Sequence, residues 1–323
     1  MKLSIPLIYL SILFSLALLS GCKKKKEILP SFTPPTTFIE LQTDLNSSFT
    51  DFSFINTQEG VVCGGSGYMV KTNDGGKTWS QQDVGSNFTF LSTSMLNNQE
   101  FLVSGVGLYK TDNAGASFYS ICDYLNIKDF HYFNEDTAII VDGRIHKTVN
   151  GGQTWELKYE GTVPFFHRFE FLTDKVGYAR GGTTFDATSY GQIVKTIDGG
   201  ETWNVVYSSS TSEPVSMSFV NSYVGYFITK DKIYKTTNGG QSWNFKGNLP
   251  SIHTYIYFIS PTEGYLSSPL NGELLLTRDS GEHWELVYTA PNINQYQNFI
   301  IKMQRINNVI YAIGTSGLFI KSN

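Results

Sequence analysis

The sequence predicts an all-β protein, a β-propeller of seven four-stranded blades, and three observations lead to this fold class. The 323 residues include 15% aromatic and 16% charged residues, together with 30 Gly. Aromatic residues favour strands, and glycine favours tight turns. An eight-residue phrase recurs at intervals of 37 to 48 residues, and a second phrase precedes several of its copies. Repeats of about forty residues that contain four strands are typical of propeller blades.

The recurring phrase has the form Thr-x-Asp/Asn-x-Gly-x-x-Trp and occurs six times, with Phe in place of Trp in the second copy. Asp or Asn accepts hydrogen bonds from backbone N–H groups in a turn, and the glycine two residues later supplies a positive φ. Apolar residues precede the phrase and an alternating strand follows it, so we expect a turn between the third and fourth strands of each blade. Its acceptor and aromatic positions are Asp74 and Trp79, Asn113 and Phe118, Asn150 and Trp155, Asp198 and Trp203, Asn238 and Trp243, and Asp279 and Trp284.

The second phrase consists of Phe, five residues, Gly and an apolar residue, as in Phe54 to Gly60. It predicts the end of the first strand, a turn, and the start of the second strand. Six copies of the first phrase give six blades, and strands near 297–305, 308–314 and 316–322 give three strands of a seventh. The segment 37–41 has the pattern of a fourth strand. We therefore expect the N-terminal strand to pair with the C-terminal blade and to close the ring.

The N-terminus is predicted to be an export signal followed by a membrane tether. An apolar run ends in Leu-Ser-Gly-Cys22, which resembles the lipobox of bacterial lipoproteins. The alternative is an uncleaved anchor, but the run is marginal for a span of about 20 residues and contains proline. We expect a lipoprotein signal peptide at 1–21, a lipidated Cys22 with a Lys- and Pro-rich tether at 22–35, and the propeller at 36–323. Residue 23 is not Asp, so the resemblance to bacterial lipoproteins implies that an inner-membrane retention signal is absent. This favours the outer over the inner membrane of the bacterial cell envelope and leaves the leaflet open.

The body that follows the tether is acidic. Without Lys2, the four tether lysines and Glu27, the net charge changes from −4 to −8. A nucleic-acid-binding protein needs a basic face, so no nucleic-acid partner is expected. Cys63 and Cys122 fall on different strand types of neighbouring repeats, which favours two separate buried thiols. A lysine precedes each copy of the first phrase, and we expect its stem to lie over apolar surface with its amine in water.

The first phrase resembles the Asp-box, or BNR repeat, of sialidases, sortilin-type receptors and xyloglucanases. Combined with the second phrase, it is most similar to the photosystem II stability/assembly factor family and its lipid-anchored bacterial relatives. The resemblance covers about 36–323 and implies a propeller of the sialidase-superfamily fold. It also implies that the Asp-boxes are structural and lie on the face opposite the ligand site.

The same resemblance allows catalysis to be assessed. A sialidase-like enzyme needs three arginines to clamp a carboxylate, a Tyr–Glu pair, an acidic Asp and an early Arg-Ile-Pro motif. This chain has five arginines, none before Arg144, and no Arg-Ile-Pro; Arg278 lies inside an Asp-box. We expect no catalytic residues and a non-catalytic protein-binding, assembly or scaffold module. A sialidase-like glycoside hydrolase or a glycan-binding protein is the alternative.

The ligand face is expected opposite the Asp-boxes, on what we call the non-box face. The longest departure from the repeat, 180–192, is expected to be a loop on this face in the fourth blade. Exposed aromatic rings with a few polar groups suit a peptide or a glycan. No cofactor or metal is expected, because the histidines lack metal-ligand spacing, and we expect a monomer with an unidentified protein or glycan partner. The candidate ligand-face residues are Phe166, His167, Arg168, Arg180, Phe185, Asp186, Tyr190, His253 and Tyr255.

Overall fold

The computed structural model describes residues 33–41, 48–123, 126–161, 166–185, 188–293 and 296–323. Pro34–Asn323 forms one compact unit. Seven four-stranded antiparallel sheets form the blades of a propeller, which confirms the predicted fold class. Every regular element among the described residues is a strand, and nothing in these ranges is a helix long and apolar enough to cross a membrane.

Each of the first six blades follows the chain from an inner first strand to an outer fourth strand. A short hairpin, β26 and β27, precedes the seventh blade. The strands are β1 Phe38–Glu40; β2 Phe49–Phe54, β3 Gly60–Gly64, β4 Met69–Thr72 and β5 Ser80–Gln81; β6 Ser92–Met95, β7 Phe101–Gly105, β8 Gly107–Thr111 and β9 Tyr119–Cys122; β10 Asp129–Tyr132, β11 Ala138–Val141, β12 Ile145–Thr148 and β13 Glu156–Tyr159; β14 Phe166–Phe171, β15 Gly177–Phe185, β16 Thr188–Thr196 and β17 Asn204–Ser209; β18 Ser216–Phe219, β19 Gly225–Ile228, β20 Lys232–Thr236 and β21 Asn244–Asn248; β22 Tyr255–Phe258, β23 Gly264–Ser267, β24 Glu273–Thr277 and β25 Glu285–Thr289; β26 Asn292–Ile293 and β27 Tyr296–Gln297; β28 Ile300–Ile306, β29 Val309–Gly314 and β30 Phe319–Ser322.

The seventh blade is completed by the N-terminal strand, as predicted. β1 pairs antiparallel with β30, and Phe38 lies opposite Ser322. Tyr288 of the sixth blade donates a hydrogen bond to Glu40 at 2.7 Å, and Tyr265 donates one to the backbone oxygen of Pro35 at 2.9 Å. The two ends of the chain therefore close the ring through both strand pairing and side-chain contacts.

Hydrogen bonds between turns define the two faces of the ring. In each of the first six blades, the turn between the first and second strands bonds to the Asp-box turn, as in Gly239 N–H to Tyr223 O at 2.8 Å. We call the surface formed by these turns the box face. On the non-box face, the turn between the second and third strands bonds to the loop that leaves the blade, as in Ala290 N–H to Gly272 O at 2.8 Å.

The Asp-box turn is closed by its own side chains. In the fourth blade, Thr196 donates to Asp198 at 2.8 Å and Thr202 donates to the same carboxylate at 2.6 Å. Where Asn replaces Asp, the second bond reverses, and the Asn150 amide donates to Thr154 at 2.9 Å. Asp and Asn therefore close the same turn with opposite hydrogen-bond polarity.

The second phrase packs one blade against the next. Phe219 lies directly across the strand pair from Gly225, where an added Cβ would approach the Phe219 ring to 2.3 Å. The absent side chain lets the ring lie over the neighbouring strand, where it stacks on Tyr178 of the preceding blade with ring centroids 3.7 Å apart. Phe258 stacks on Tyr226 in the same way at 3.5 Å. Such pairs contribute beyond their buried area, so the phrase specifies blade packing as well as a turn.

The expectation that the repeated lysines keep their amines in water is wrong for five of them. Lys110 is 5% exposed, and its amine donates to the Tyr132 hydroxyl of the next blade at 3.1 Å. The other four amines each reach a backbone oxygen of the next blade, which leaves the stem buried or half-buried between the blades. Lys195, for example, donates to Gly239 O at 2.9 Å, and its Nζ lies 5.3 Å from the centre of the Tyr178 ring. A turn carbonyl at a blade junction needs a donor, and the lysine supplies it. The four bonds are Lys71 to Asn98 O, Lys147 to Gly199 O, Lys195 to Gly239 O and Lys235 to Pro261 O.

Candidate functional site

The candidate site is a cavity of about 620 Å³ along the axis of the ring. The first strands of all seven blades line it. Each first strand ends at the box face, and two residues near that end point toward the axis. Across the seven blades these residues form two rings of side chains, which we call the outer ring and the inner ring. The outer ring, nearer the non-box face, contains Asp51, Ser92, Asp129, Arg168, Ser216, Tyr255 and Lys302; the inner ring contains Ser53, Ser94, His131, Glu170, Ser218, Tyr257 and Gln304.

Most of these side chains join neighbouring blades. Asp51 accepts a hydrogen bond from Thr93 N–H at 3.0 Å, and Ser216 accepts one from Ile256 N–H at 3.2 Å. Gln304 of the seventh blade accepts from Phe54 N–H at 2.9 Å, which carries the pattern across the closure. The usual role of an axis-facing side chain is therefore to accept a hydrogen bond from a backbone N–H group in the first strand of the next blade.

Arg168 and Lys302 depart from this pattern. Both occupy the outer ring, and neither side chain has an acceptor atom, so neither can bind the N–H of the next blade. Lys302 contacts Asp51, while Arg168 Nη1 lies 3.7 Å from Asp51 and 3.9 Å from Asp129. The side chains of Arg168 and Lys302 are 35% and 33% exposed, whereas Asp51 is 1% exposed. The carboxylates are buried, whereas Arg168 and Lys302 are partly exposed. The two cations therefore present positive charge to the cavity.

The buried charges of the cavity respond differently to their surroundings. Burial opposes the charge of Asp51, but Lys302 and Arg168 outweigh it and hold the pKa of this carboxyl below its usual range. Glu170 is two residues further along β14 than Arg168, in the inner ring, and accepts a hydrogen bond from Phe219 N–H at 2.7 Å. Burial raises the pKa of Glu170 to about 8, so this carboxyl is protonated at neutral pH. The outer ring then holds Arg168 and Lys302 above a neutral Glu170.

The fourth blade extends furthest at the mouth of the cavity. The segment 180–192 was expected to be a loop, but β15 and β16 continue through it as a hairpin, and Gly182 lies opposite Gly191. Added Cβ atoms at these two glycines would approach Glu213 and Pro214 to 2.3 Å. The absence of side chains lets the loop after β17 pack on the hairpin, and this packing holds the extended pairing. Arg180, at the base of the hairpin, donates to Pro214 O at 3.2 Å.

The structure brings four of the predicted ligand-face residues to this mouth. Arg168, Arg180 and Tyr255 line the cavity. His167 lies beside it, with Nε2 3.0 Å from Gly182 O, and burial lowers the pKa of His167 to about 4, so its ring is neutral. Tyr190 is on the hairpin and is 44% exposed.

Two of the predicted residues lie in the interior. Phe166 is fully buried in a hydrophobic cluster, and His253 is 1% exposed, with Nδ1 2.6 Å from Ser251 O. Their positions near the starts of first strands suggested exposure, but Phe166 packs into the same cluster as Val141 and Val194 of neighbouring strands. Phe185 is the last residue of β15, and both its side chain and Asp186 lie outside the described residues. Cys63 and Cys122 are buried as separate thiols, as predicted.

The sequence analysis missed most of the axis-facing residues. Asp51 and Asp129 are three positions before the end of their first strands, the position that Ser216 holds three residues before Phe219, whereas Lys302 is four positions before the end of β28. Counting back from Phe54 would have aligned Asp51 with Arg168, but the third and seventh blades carry no copy of the second phrase that could have placed Asp129 and Lys302. Among the described residues, no group of three or more His, Cys, Asp or Glu side chains is arranged to hold a metal ion.

The fold and the repeated turns define the class of this protein. It is a seven-bladed β-propeller of the Asp-box, or BNR-repeat, type, and it resembles the photosystem II assembly factors, which confirms the resemblance inferred from the two phrases. Residues 34–128 match the model of the family described as "Photosynthesis system II assembly factor YCF48".

Known proteins of this shape include assembly factors and an enzyme. The "Photosystem II assembly lipoprotein Ycf48" of Prochlorococcus marinus is 24% identical over 318 residues, which cover 91% of this chain and 90% of that protein. A solved structure described as "YCF48 bound to D1 peptide" has a TM-score of 0.70 and 18% identity, covering 90% of this chain and 99% of its own. An ancestral GH74 enzyme has a TM-score of 0.64 and 12% identity, and covers 89% of this chain and 46% of its own. These structural similarities show the fold.

Proposed function

We propose that this protein is a lipid-anchored, non-catalytic propeller that binds an anionic segment of a partner protein at the non-box mouth of its cavity and assists that partner's assembly. Arg168 carries the proposal. Its position in the outer ring is one that other blades use for an acceptor, and its contacts at 3.7 and 3.9 Å are longer than hydrogen bonds. A guanidinium group binds a carboxylate through two parallel N–H donors, and Lys302 adds a second cation beside it.

The similar proteins support the assembly part of this proposal. One is named an assembly lipoprotein and another was solved with a peptide bound. For this chain, we infer a signal peptide at 1–21, lipidation of Cys22, a tether to residue 35 and a monomeric propeller at 36–323. Two acyl signals on one residue give stable anchoring. Because residue 23 is Lys rather than Asp, we place the anchor in the outer membrane.

Photo-crosslinking in native membranes tests the binding site. A photoreactive amino acid replaces either Tyr190 on the non-box face or Ile197 on the box face of the same blade, and these residues are 44% and 64% exposed. We expect a protein adduct from position 190 and none of the same mass from 197. Adduct identification by mass spectrometry then names the partner.

Two arginine variants then test the role of charge. Arg168→Gln should abolish the adduct, whereas Arg144→Gln should retain it, because Arg144 lies in a turn of the non-box face and pairs with Asp142 at 3.6 Å. Peptides from the partner, synthesised with either a carboxylate or an amide at the anionic position, provide the second measurement. Equal binding of both peptides, or an adduct that survives Arg168→Gln with an unchanged melting temperature, contradicts the proposal.

A glycoside hydrolase is the second candidate, and Glu170 is the observation that favours it. A buried carboxyl with a raised pKa can act as a general acid. Glu170, however, already binds Phe219 N–H across the blade junction at 2.7 Å, which is the structural role of its neighbours. Release of product from sialyl or aryl-glycoside substrates, lost in Glu170→Gln, would support the enzyme and reverse our preference.

A further inference from the structure

Three turn tips on the box face carry exposed apolar side chains. Val149, Ile197 and Tyr223 are 65%, 64% and 70% exposed. Val149 and Ile197 hold the second position of the Asp-boxes in blades three and four, and Tyr223 lies in the first turn of blade five. The tips are on adjacent blades, because Lys147 of blade three binds Gly199 O of blade four at 2.9 Å, and blade five follows.

The repeat itself shows that folding does not require apolar residues at these tips. The second Asp-box position is polar in the other four copies, and the position of Tyr223 is polar in the other five first turns. Both positions point into solvent, so a polar residue closes each turn equally well. The polar equivalents are Asn73, Asp112, Thr237 and Arg278 for the box position, and Gln58, Gln99, Asp136, Lys175 and Thr262 for the first turn.

The chain enters the ring on the same face. The backbone oxygen of Pro35 accepts a hydrogen bond from Tyr265, and the equivalent tyrosines Tyr178 and Tyr226 bind oxygens of box-face turns, Gly239 O and Pro261 O. β1 therefore starts at the box face. About twelve residues separate Cys22 from Pro35, and a chain of that length spans at most roughly 40 Å, which limits how far this face can lie from the proposed lipid anchor.

We propose that the box face of blades three to five docks on the bilayer, with Val149, Ile197 and Tyr223 in the interfacial layer, so that the cavity mouth points away from the membrane. This inference rests on the proposed lipid anchor. A short tether raises the effective concentration of the second contact to the millimolar range, so three small apolar contacts suffice. Tyrosine is favoured at the headgroup level. Asp198 and Glu201 stand beside Ile197, so the expected surface is a zwitterionic one rather than an anionic one.

The chain from residue 23, held on phosphatidylcholine vesicles, tests this docking. A His-tag in place of Cys22 and a nickel-chelating lipid replace the acyl anchor, so the docking is measured without acylation; Cys63 and Cys122 are buried, which directs the label to the introduced cysteine. An environment-sensitive fluorophore is attached at Ile197→Cys or, as a matched control on the same blade, at Tyr190→Cys. We expect nitroxide-labelled lipids to quench the label at 197 at least threefold more than the label at 190. Equal quenching, or stronger quenching at 190, overturns the proposal.

Polar substitution of the tips separates this inference from the proposed function. With the label placed at Asn73→Cys on the box face, the triple variant Val149→Thr, Ile197→Thr, Tyr223→Gln should reduce quenching to the level of the non-box control. Phe88→Ser with Leu270→Ser, on the non-box face, should leave quenching unchanged. The mass of the intact protein shows whether Cys22 is acylated and so tests the anchor. Peptide binding at Arg168 tests the proposed function. Because the docking surface is separate from both sites, the triple variant should change neither measurement. Unchanged quenching in the triple variant refutes the docking surface.

Discussion

Replacement of Trp203 by Ala should destabilise the propeller by about 3–4 kcal/mol. The side chain is 7% exposed and packs against Phe169 and Phe171, with ring centroids 6.0 and 6.1 Å away. A large aromatic side chain buries about 200 Å², and at about 25 cal/mol per Å² this burial contributes about 5 kcal/mol. Its indole N–H is buried without a partner among the described residues, which offsets about 1 kcal/mol or more.

Urea unfolding followed by circular dichroism measures this loss. Thermal unfolding provides a second measurement. For a protein of this size, the loss should lower the melting temperature by about 6–8 °C, at roughly 2 °C per kcal/mol. Trp203→Phe is the matched control, because it keeps most of the buried ring and removes the unpartnered N–H, and it should cost under about 1.5 kcal/mol. A loss below about 1 kcal/mol for Trp203→Ala would refute the assignment of the Asp-box tryptophan to the blade core.

Three further predictions concern closure and pH. Deletion of 36–43 should lower the melting temperature by more than about 10 °C while deletion of 23–33 should change it little, and equal tolerance would argue against closure by β1. Burial would raise the pKa of Asp198, but its hydrogen bonds with threonines lower this pKa to about 2. Its contribution to folding stability is therefore fully present above the unfolded-state pKa of about 4 and is lost as the pH falls toward 2. Asp198→Asn should reduce the loss of stability between pH 4 and pH 2. It should leave stability at neutral pH unchanged, because Asn150 closes the equivalent turn of the third blade. An unchanged dependence of stability on pH would contradict this role of Asp198. Burial raises the pKa of Glu170 to about 8. Because this carboxyl ionises more easily in the unfolded state, the folded protein loses stability as the pH rises from about 4 to 8. Glu170→Gln should therefore be more stable than the unmodified protein at pH 9 and no more stable at pH 4.

The sequence predicted the blades well because their determinants are local and repeated. The Asp-box closes through residues within six positions of each other, and Phe219 lies across a single strand pair from Gly225. Repetition allowed each weak copy to be aligned with stronger ones, and even the incomplete seventh blade revealed that β1 must close it. Local chemistry repeated six times therefore specified the ring.

Contacts between blades were much harder to predict. The amine of Lys195 binds a carbonyl 44 residues away, and Asp51 lies beside Lys302 across the closure. Nothing near either residue in the sequence distinguishes such a contact from a solvated side chain. The burial of Phe166 likewise depends on contacts with Val141 and Ile145 of the preceding blade.

The same comparison of repeats separates binding from stability at Arg168. Asp51 is already held by Lys302 and by hydrogen bonds from Ser92, Thr93 N–H and Phe52 N–H at 2.8 to 3.0 Å. An additional cation at 3.7 Å, with its side chain 35% exposed, adds a partly screened attraction of at most about 1 kcal/mol. Serine at the same position in blades two and five shows that the ring needs no cation there. Stability therefore does not account for a guanidinium group at the mouth of the cavity, which is the reason for proposing an anionic ligand there.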